Sequence, residues 1–361
     1  MVRDYNYINL LEEKIELKGL NIIIWGISET GISLYLQLTK VGANVIAFTD
    51  SYYKGENDSL GGVPIINYRK IKDMDAYIFI STKNPNYLRK ILMLTDELSD
   101  GRVLAYGTIY GAGLYDSTRL KTLIENDRAI ISEVRNNLAD QRSVDVFDLL
   151  IKYRTENNEE LLEEAYESGH MQYFPEKDII NLTPNEVFVD AGAYNGETSI
   201  AFANNVDGKY RKIYAMEPDP VMYGLMKDYV RLKGIDNISC VNLGAYSHST
   251  KLMFNMENAS GSSCISGEGS VEIETISIDE MLDGNEATYI KMDIEGSELE
   301  ALEGCKNTIL KYKPKLAISV YHKEDDLWKI PAYILEKYPF YRLYLRHYTP
   351  ITTETILYAK V

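Results

Sequence analysis

The sequence has little cysteine and little positive charge. Its three cysteines lie far apart in 361 residues, so neither a disulfide framework nor a paired-cysteine metal site is predicted. We therefore expect a protein of the reducing cytoplasm. The formal net charge is -16, so the chain lacks the density of lysine and arginine that a nucleic acid partner requires.

Long apolar runs and a targeting segment are also lacking. No apolar stretch reaches the length of a membrane span, and the N-terminus has no basic segment followed by an apolar core, so no signal peptide is predicted. With 45% hydrophobic and 25% charged residues, the composition is typical of a soluble globular protein. The length predicts two domains. A homo-oligomer remains open.

The strongest local pattern covers residues 187–198. A short apolar run ends on Asp190, a turn with Gly192 and Gly196 follows, and a helical pattern begins near Thr198. The glycines allow a close backbone approach that a Cβ would block, and the helix N-terminus offers free N–H groups. This pattern predicts the opening of a nucleotide-binding strand–helix–strand unit.

An acidic residue follows the next predicted strand. Glu217 ends the strand Lys212–Met216, where a carboxylate can accept hydrogen bonds from both ribose hydroxyls of an adenosine. A dinucleotide site would need a glycine in place of Tyr194. The crowded turn therefore favours an adenosyl ligand without phosphate, and S-adenosylmethionine is such a ligand.

The first third of the chain has a second, weaker glycine pattern. Residues 1–18 are predicted to be an amphipathic helix, and residues 19–110 alternate strands with helices as in a small Rossmann-type domain. The pattern Gly26–Gly31 has Ser28 at its middle glycine position, and a later strand ends on Asp50, where a ribose-binding acid would lie. The glycines either serve only the turn or help bind a nucleotide or nucleotide sugar.

We predict an α/β protein with two Rossmann-like domains. Residues 1–114 form the small nucleotide-binding-type domain, 115–173 a charged helical connector, and 174–361 a mostly parallel sheet with a terminal antiparallel hairpin. Just before this second domain, His170 and Tyr173 either cover a cofactor pocket or pack in the ordinary way.

Polar residues gather at the predicted strand ends of the second domain, where open parallel sheets bind ligands. These strand-end residues are Asp190, Glu217, Asn242–Ala245, Asp293–Glu295 and Tyr321–His322. The polar stretch 258–264 is either a mobile acceptor-side loop or an exposed turn.

Several motifs resemble the FkbM family of S-adenosylmethionine-dependent methyltransferases. They are residues 190–198, Glu217-Pro218, residues 290–298 and residues 321–328, and residues 345–348 and 354–359 resemble the tail of the family. The resemblance runs from about residue 175 to the C-terminus. It implies a seven-stranded class I methyltransferase sheet and methyl transfer, typically to a hydroxyl. Tyr194 departs from the asparagine of many members.

The predicted cofactor is S-adenosylmethionine. Glu217 is expected to hold the ribose, Gly192 and Gly196 to let the methionine part lie against backbone, and Gly244 and Ala245 to flank the adenine. Asp190 would orient the turn or reach the cofactor's ammonium group through water. The predicted cofactor-binding set is Asp190, Gly192, Tyr194, Gly196, Thr198, Glu217, Gly244, Ala245 and Asp293.

The predicted catalytic residues are Asp293, Glu295 and His322. A hydroxyl acceptor must lose its proton, so a nearby base helps. Alternation along an extended segment would project Asp293 and Glu295 to the same side as base and substrate anchor, and His322 is the alternative base. No metal is predicted, although paired carboxylates suit a divalent cation. Lys291 either pairs with one of these acids or packs.

These features predict an enzyme that O-methylates a hydroxyl of a sugar, nucleotide sugar or polysaccharide precursor. The substrate would be a small molecule or glycan. Two alternatives rest on residues 19–110: an NAD(P)-dependent oxidoreductase, and a non-catalytic module that binds nucleotide sugars. Ser28, and the absence of a recognisable catalytic constellation there, weigh against the oxidoreductase.

Overall fold

The chain divides into two compact units. Unit 1 comprises residues 1–110 with 224–234, and unit 2 comprises residues 111–223 with 235–361. The predicted loop 258–264, His170 and all but the last residue of the predicted helix 1–18 lie outside the described residues. The computed structural model describes residues 18–40, 42–53, 55, 57–81, 91, 94, 103–106, 117–156, 158, 160–167, 169, 171–254, 271–350 and 352–361.

A six-stranded sheet forms the centre of unit 1, in the order β3-β4-β2-β1-β5-β6. Its strands are β1 (Asn21–Trp25), β2 (Asn44–Asp50), β3 (Ser59–Leu60), β4 (Val63–Asn67), β5 (Tyr77–Ser81) and β6 (Val103–Tyr106). All neighbouring pairs are parallel except β3 with β4. Helix α1 (Glu29–Lys40) connects β1 to β2, and a 3₁₀ helix (Tyr68–Asp73) follows β4. This is the Rossmann-type arrangement that the sequence predicts.

The central strand β1 shows why this sheet forms. Ile22, Ile23 and Ile24 are fully buried. A run of β-branched residues buried on both faces is typical of a parallel strand covered on both sides. From β1 the chain adds β2 and β4 on one side and then returns to add β5 and β6 on the other.

Among the described residues, four helices lie between residues 117 and 165. The helices are α2 (Ser117–Asn126), α3 (Arg128–Asn136), α4 (Gln141–Glu156) and α5 (Glu160–Ala165). The Ser143 hydroxyl in α4 accepts the backbone N–H of Leu345 at 2.8 Å, and the buried Arg346 donates to Asp140 at 2.8 Å. These bonds hold the helices against unit 2, to which they belong.

A seven-stranded sheet forms the centre of unit 2, in the order β15-β16-β14-β13-β7-β8-β9. Its strands are β7 (Val187–Ala191), β8 (Lys212–Met216), β9 (Ile238–Val241), β13 (Tyr289–Met292), β14 (Lys315–Ser319), β15 (Arg342–His347) and β16 (Thr355–Lys360). Only β16 is antiparallel to its neighbours, β14 and β15. The predicted sheet and its terminal hairpin are confirmed.

Further helices and a small sheet complete the described chain. The helices are α6 (Glu197–Asn205), α7 (Pro220–Leu232), α8 (Ile278–Leu282), α9 (Glu298–Glu303), α10 (Lys306–Tyr312) and α11 (Asp326–Lys337). The strands β10 (Gly244–Ala245), β11 (Thr250–Phe254) and β12 (Val271–Ile276) form a three-stranded sheet. Sequence analysis missed β11 and β12 because charged residues such as Lys251 and Glu272 interrupt their apolar pattern. No helix in the described part of the chain is long and apolar enough to cross a bilayer.

Candidate active site

The turn after β7 has an unusual backbone. Gly192, Tyr194 and Gly196 all have positive φ, at 73°, 49° and 85°. A Cβ on Gly192 would lie 1.8 Å from the carbonyl oxygen of Asp293, which follows β13. Only glycine allows the carboxyl ends of β7 and β13 to approach this closely, and Gly196 is the N-cap of α6. Thr198 lies in the first turn of that helix.

A buried ion pair between Asp190 and Lys291 stabilises the turn. Asp190 is fully buried, with its Oδ1 atom 3.1 Å from Nζ of Lys291 and its Oδ2 atom accepting the Ser199 hydroxyl at 2.8 Å. Lys291 also donates to the carbonyl oxygen of Gly192 at 2.6 Å. Lys291 therefore pairs with Asp190 and not directly with Asp293 or Glu295. This geometry suits the role of Asp190 in orienting the turn.

Glu217 connects the turn to the end of β8. Its carboxylate accepts the backbone N–H groups of Tyr194 and Asp219, each at 2.9 Å. Burial raises the pKa of Glu217 to about 8 even though both N–H groups favour the charged form. The Asn242 side chain donates to the Glu217 carbonyl oxygen at 2.8 Å and so holds the segment leading to Gly244–Ala245 at the same edge.

An unpaired amide group in the turn also fits a bound adenosyl ligand. Within the described residues, the Nδ2 amide of Asn195 is buried and has no hydrogen-bond partner. Leaving a buried donor unpaired costs about 1–3 kcal/mol, so such a group is expected to meet a ligand. Asn195 was not predicted as a site residue, although it lies between Tyr194 and Gly196.

A second cluster surrounds His322 after β14. Its Nε2 atom lies 3.3 Å from Asp293 Oδ1 and 3.5 Å from Glu295 Oε2, and its Nδ1 atom lies 3.0 Å from Glu298 Oε1. The structure thus brings the three predicted catalytic residues together. It also adds Glu298, which sequence analysis missed.

The charges in this cluster shift several pKa values. Burial alone would lower the pKa of His322. The negative charges of Glu298, Asp293 and Glu295 and the hydrogen bond with Glu298 outweigh this effect and raise the pKa to about 10. Burial would raise the pKa of Asp293, but the charges of Lys291 and His322 hold it below its usual value. Burial raises the pKa of Glu295 to about 8. At neutral pH the cluster therefore holds a His322 cation and an ionised Asp293. The Glu295 carboxyl group is mostly protonated and loses its proton as the pH rises through about 8.

Two tyrosines hold Asp293 in place. The Tyr173 hydroxyl donates to its Oδ2 atom at 2.8 Å and the Tyr321 hydroxyl to its Oδ1 atom at 3.1 Å. The Tyr321 hydroxyl also lies 3.5 Å from Glu354, which accepts a hydrogen bond from Gln172. Glu354 was not predicted as a site residue, although it begins the stretch 354–359 that resembles the tail of the FkbM family.

The backbone explains how Glu295 reaches the cluster. Glu295 has φ 57° and Gly296 has φ 93°, so the segment is not extended there. Asp293 and Glu295 meet at His322 through this left-handed bend and not through strand alternation. A left-handed glutamate costs free energy, and such strained residues are often found at active sites. Its side chain is 25% exposed, so a substrate can reach it.

The same cluster offers ligands for a cation. In the described part of the chain, one ligand atom each from Asp293, Glu298 and His322 lie within 4.8 Å of one another. Carboxylate and imidazole ligands suit several divalent metals. A divalent cation bound there would have to displace the proton that the raised pKa of His322 keeps between these acids.

Comparison with known proteins gives a family match for this region. The model of the methyltransferase FkbM domain matches residues 190–349, a range that includes the glycine turn, Glu217 and the His322 cluster. Among curated proteins, the hexuronic acid methyltransferase AglP of Haloferax volcanii is 29% identical over 140 residues, which are 37% of this chain. The matched stretch spans 58% of that relative's length.

A solved structure shares the fold along nearly the whole chain. The crystal structure of methyltransferase FkbM from Methylobacillus flagellatus KT superposes with a TM-score of 0.60 and 24% sequence identity. The match covers 99% of this chain and 93% of that one. At this identity the likeness concerns the fold.

Proposed function

We propose that this chain is an S-adenosylmethionine-dependent methyltransferase that methylates a hydroxyl group of a sugar, nucleotide sugar or polysaccharide precursor. The match of residues 190–349 to the methyltransferase FkbM domain supports this proposal. A buried but reachable carboxyl group with a raised pKa, Glu295, supports transfer to a hydroxyl, because such an acceptor must lose a proton. The similarity to a hexuronic acid methyltransferase supports a sugar as the acceptor.

The residues of the turn fit the cofactor. In this proposal Glu217 accepts the ribose hydroxyls, and the unpaired side-chain amide of Asn195 offers a hydrogen-bond donor after β7. When bound, S-adenosylmethionine supplies an electrophilic methyl group on a sulfonium. The enzyme must then mainly align the acceptor oxygen with that group.

We assign the proton acceptor to Glu295. A base is most effective when its pKa lies near the working pH, and the pKa of Glu295 is about 8. Asp293 is a weaker base because its pKa is lowered and both of its oxygens accept tyrosine hydroxyls. His322 is a cation with a pKa of about 10 and has no lone pair for a proton. In this proposal the His322 cation positions Glu295 and balances its charge, whereas the Asp293 carboxylate helps to keep the pKa of Glu295 raised.

Transfer of a labelled methyl group tests the proposal. The protein is incubated with S-adenosylmethionine carrying a labelled methyl group and a panel of hexuronic acids, nucleotide sugars and oligosaccharides. We expect label in a methyl ether of at least one acceptor. Label only in amines or carboxylates, or in no acceptor of the panel, would contradict transfer to a sugar hydroxyl.

A further inference from the structure

Unit 1 contains a cavity of about 670 Å³ that the proposed methyl transfer does not use. Its lining includes the end of β1 and the following turn (Trp25–Ser28), Asp50 at the end of β2, and Ser81 at the end of β5. Tyr229 and Lys233 line another part of it, and both also belong to unit 1.

The position of this cavity follows from the strand order. After β1 the chain adds strands on one side of the sheet and then on the other, so the order reverses next to β1. Open parallel sheets bind their ligands outside the carboxyl ends of the strands at such a reversal. Residues at the ends of β1, β2 and β5 line one part of the cavity.

The turn after β1 is built for close packing. Gly26 has φ 134°, and a Cβ on it would lie 2.5 Å from the Ser81 hydroxyl oxygen. A Cβ on Gly31 would lie 2.0 Å from the carbonyl oxygen of Gly26. Both glycines therefore let the first turn of α1 approach the strand ends, where helix N–H groups can bind phosphate. Ser28 lines the cavity and adds a hydroxyl donor.

The cavity lining also offers groups that could bind the ribose and the base of a nucleotide. The Oδ1 atom of Asp50 accepts a hydrogen bond from the backbone N–H of Tyr52 at 2.9 Å. Its Oδ2 atom accepts no hydrogen bond from the described residues. Tyr52 is 60% exposed at the cavity and offers an aromatic face for a base. Lys233 supplies a cation, with its Nζ atom 5.1 Å from the Tyr229 ring centroid. Arg231 is a weaker candidate because Asp58 already pairs with it at 3.0 Å.

We propose that this cavity binds a nucleoside diphosphate group, either free or as part of a nucleotide-activated sugar. Asp50 accepts the ribose hydroxyls, the Gly26 turn and Lys233 hold the phosphates, and Tyr52 stacks on the base. The proposal does not depend on the methyl acceptor or on methyl transfer.

Isothermal titration calorimetry on the full-length protein tests this assignment. ADP, UDP-glucose and NAD⁺ are titrated separately, with S-adenosylhomocysteine in excess to occupy the adenosyl site of unit 2. We expect ADP or UDP-glucose to bind with a Kd of about 100 μM or tighter, corresponding to a small charged ligand held by several hydrogen bonds. Asp50→Asn should weaken this binding by roughly 10-fold, the effect of losing a charge-assisted hydrogen bond.

Matched variants make the test decisive. Asp73→Asn changes an exposed acid of unit 1 outside the cavity and should leave nucleotide affinity unchanged, and Glu217→Gln should also leave it unchanged. Retained S-adenosylhomocysteine binding by Asp50→Asn shows that the variant is folded. The proposal fails if neither ADP nor UDP-glucose binds, if only NAD⁺ binds, or if affinity falls in Glu217→Gln but not in Asp50→Asn.

Discussion

At the residue scale, Glu295 is the group whose ionisation should control methyl transfer. Its pKa of about 8 means that the carboxyl group is largely protonated at pH 7 and becomes a base as the pH rises. We expect kcat at saturating cofactor to increase as the pH rises through about 8. Glu295→Gln should lower kcat by at least ~100-fold and abolish this rise.

Two variants control for this prediction. Glu295→Asp keeps the carboxyl group and should retain more activity than Glu295→Gln. Glu336→Gln changes an acid on the exposed face of α11, with 73% of its side chain exposed, and should keep the wild-type profile. A normal kcat in Glu295→Gln would transfer the base role to Asp293 or another residue.

Glu217 should control cofactor binding instead. Its carboxylate must be ionised to accept both ribose hydroxyls, and its pKa is about 8. The affinity for 5′-methylthioadenosine, which has no amino acid group of its own to titrate, should therefore increase from pH 6.5 to pH 9. Glu217→Gln should weaken binding by roughly 10-fold and remove the pH dependence. Fluorescence or calorimetric titration measures the affinity and its pH dependence. An affinity of Glu217→Gln equal to that of the wild type would show that Glu217 does not bind the cofactor.

The charge on His322 leads to a prediction about metals. The protonated imidazole already lies between Asp293, Glu295 and Glu298, so a divalent cation would have to displace this proton. Activity should be unchanged after dialysis against EDTA and should not rise on addition of Mg²⁺ or Mn²⁺. Loss of activity with EDTA and recovery with one metal would show that the cluster is a metal site.

At the scale of elements, the turn between β7 and α6 depends on Gly192. A Cβ there would lie 1.8 Å from the Asp293 carbonyl oxygen, and the residue has φ 73°. Gly192→Ala should lower the free energy of unfolding by at least ~1–3 kcal/mol and abolish cofactor binding, because the ends of β7 and β13 must separate. Urea denaturation and calorimetry measure the two effects.

Another glycine provides the control for Gly192. Gly224 lies inside α7, and a Cβ there would meet nothing within 4 Å. Gly224→Ala should raise the free energy of unfolding by about 0.5–1 kcal/mol because alanine favours the helix. If both variants changed stability in the same direction, the close approach at Gly192 would not be the cause.

At the scale of the whole molecule, buried acids determine how stability varies with pH. Burial raises the pKa of Glu217 and Glu295 to about 8, and that of Asp326 and Glu354 to about 7. Between about pH 4.5 and 8 the folded protein therefore binds more protons than the unfolded chain. We therefore expect the free energy of unfolding to fall as the pH rises through this window, by about 1.4 kcal/mol per pH unit for each extra proton.

Thermal unfolding without cofactor checks this expectation. The Tm should be higher at pH 5.5 than at pH 8. A Glu217→Gln, Glu295→Gln double variant should show a shallower decrease because two of the groups no longer titrate. Below about pH 4 stability should fall again, since the pKa of Asp293 is held below its usual value and its protonation costs stability. A Tm that rises from pH 5.5 to 8 would contradict the raised pKa values.

Much of the molecule could be predicted from local patterns. The buried run of β1, the glycine turn after β7 and the carboxylate that follows β8 are each encoded by a few consecutive residues. Strand ends in a parallel sheet meet at one edge, so Asp190, Glu217 and Asp293 could be grouped without a structure. The sequence by itself therefore determined the two large sheets and the edge at which ligands are expected to bind.

Only the tertiary structure decided how the groups at that edge are charged and connected. Tyr173 is 120 residues from its partner Asp293, and Glu354 reaches the same cluster from the last connection of the sheet. No local pattern encodes such contacts. The roles of Glu295 and His322 also depend on burial and on neighbouring charges, because both titrate away from their usual pKa values only in the folded chain.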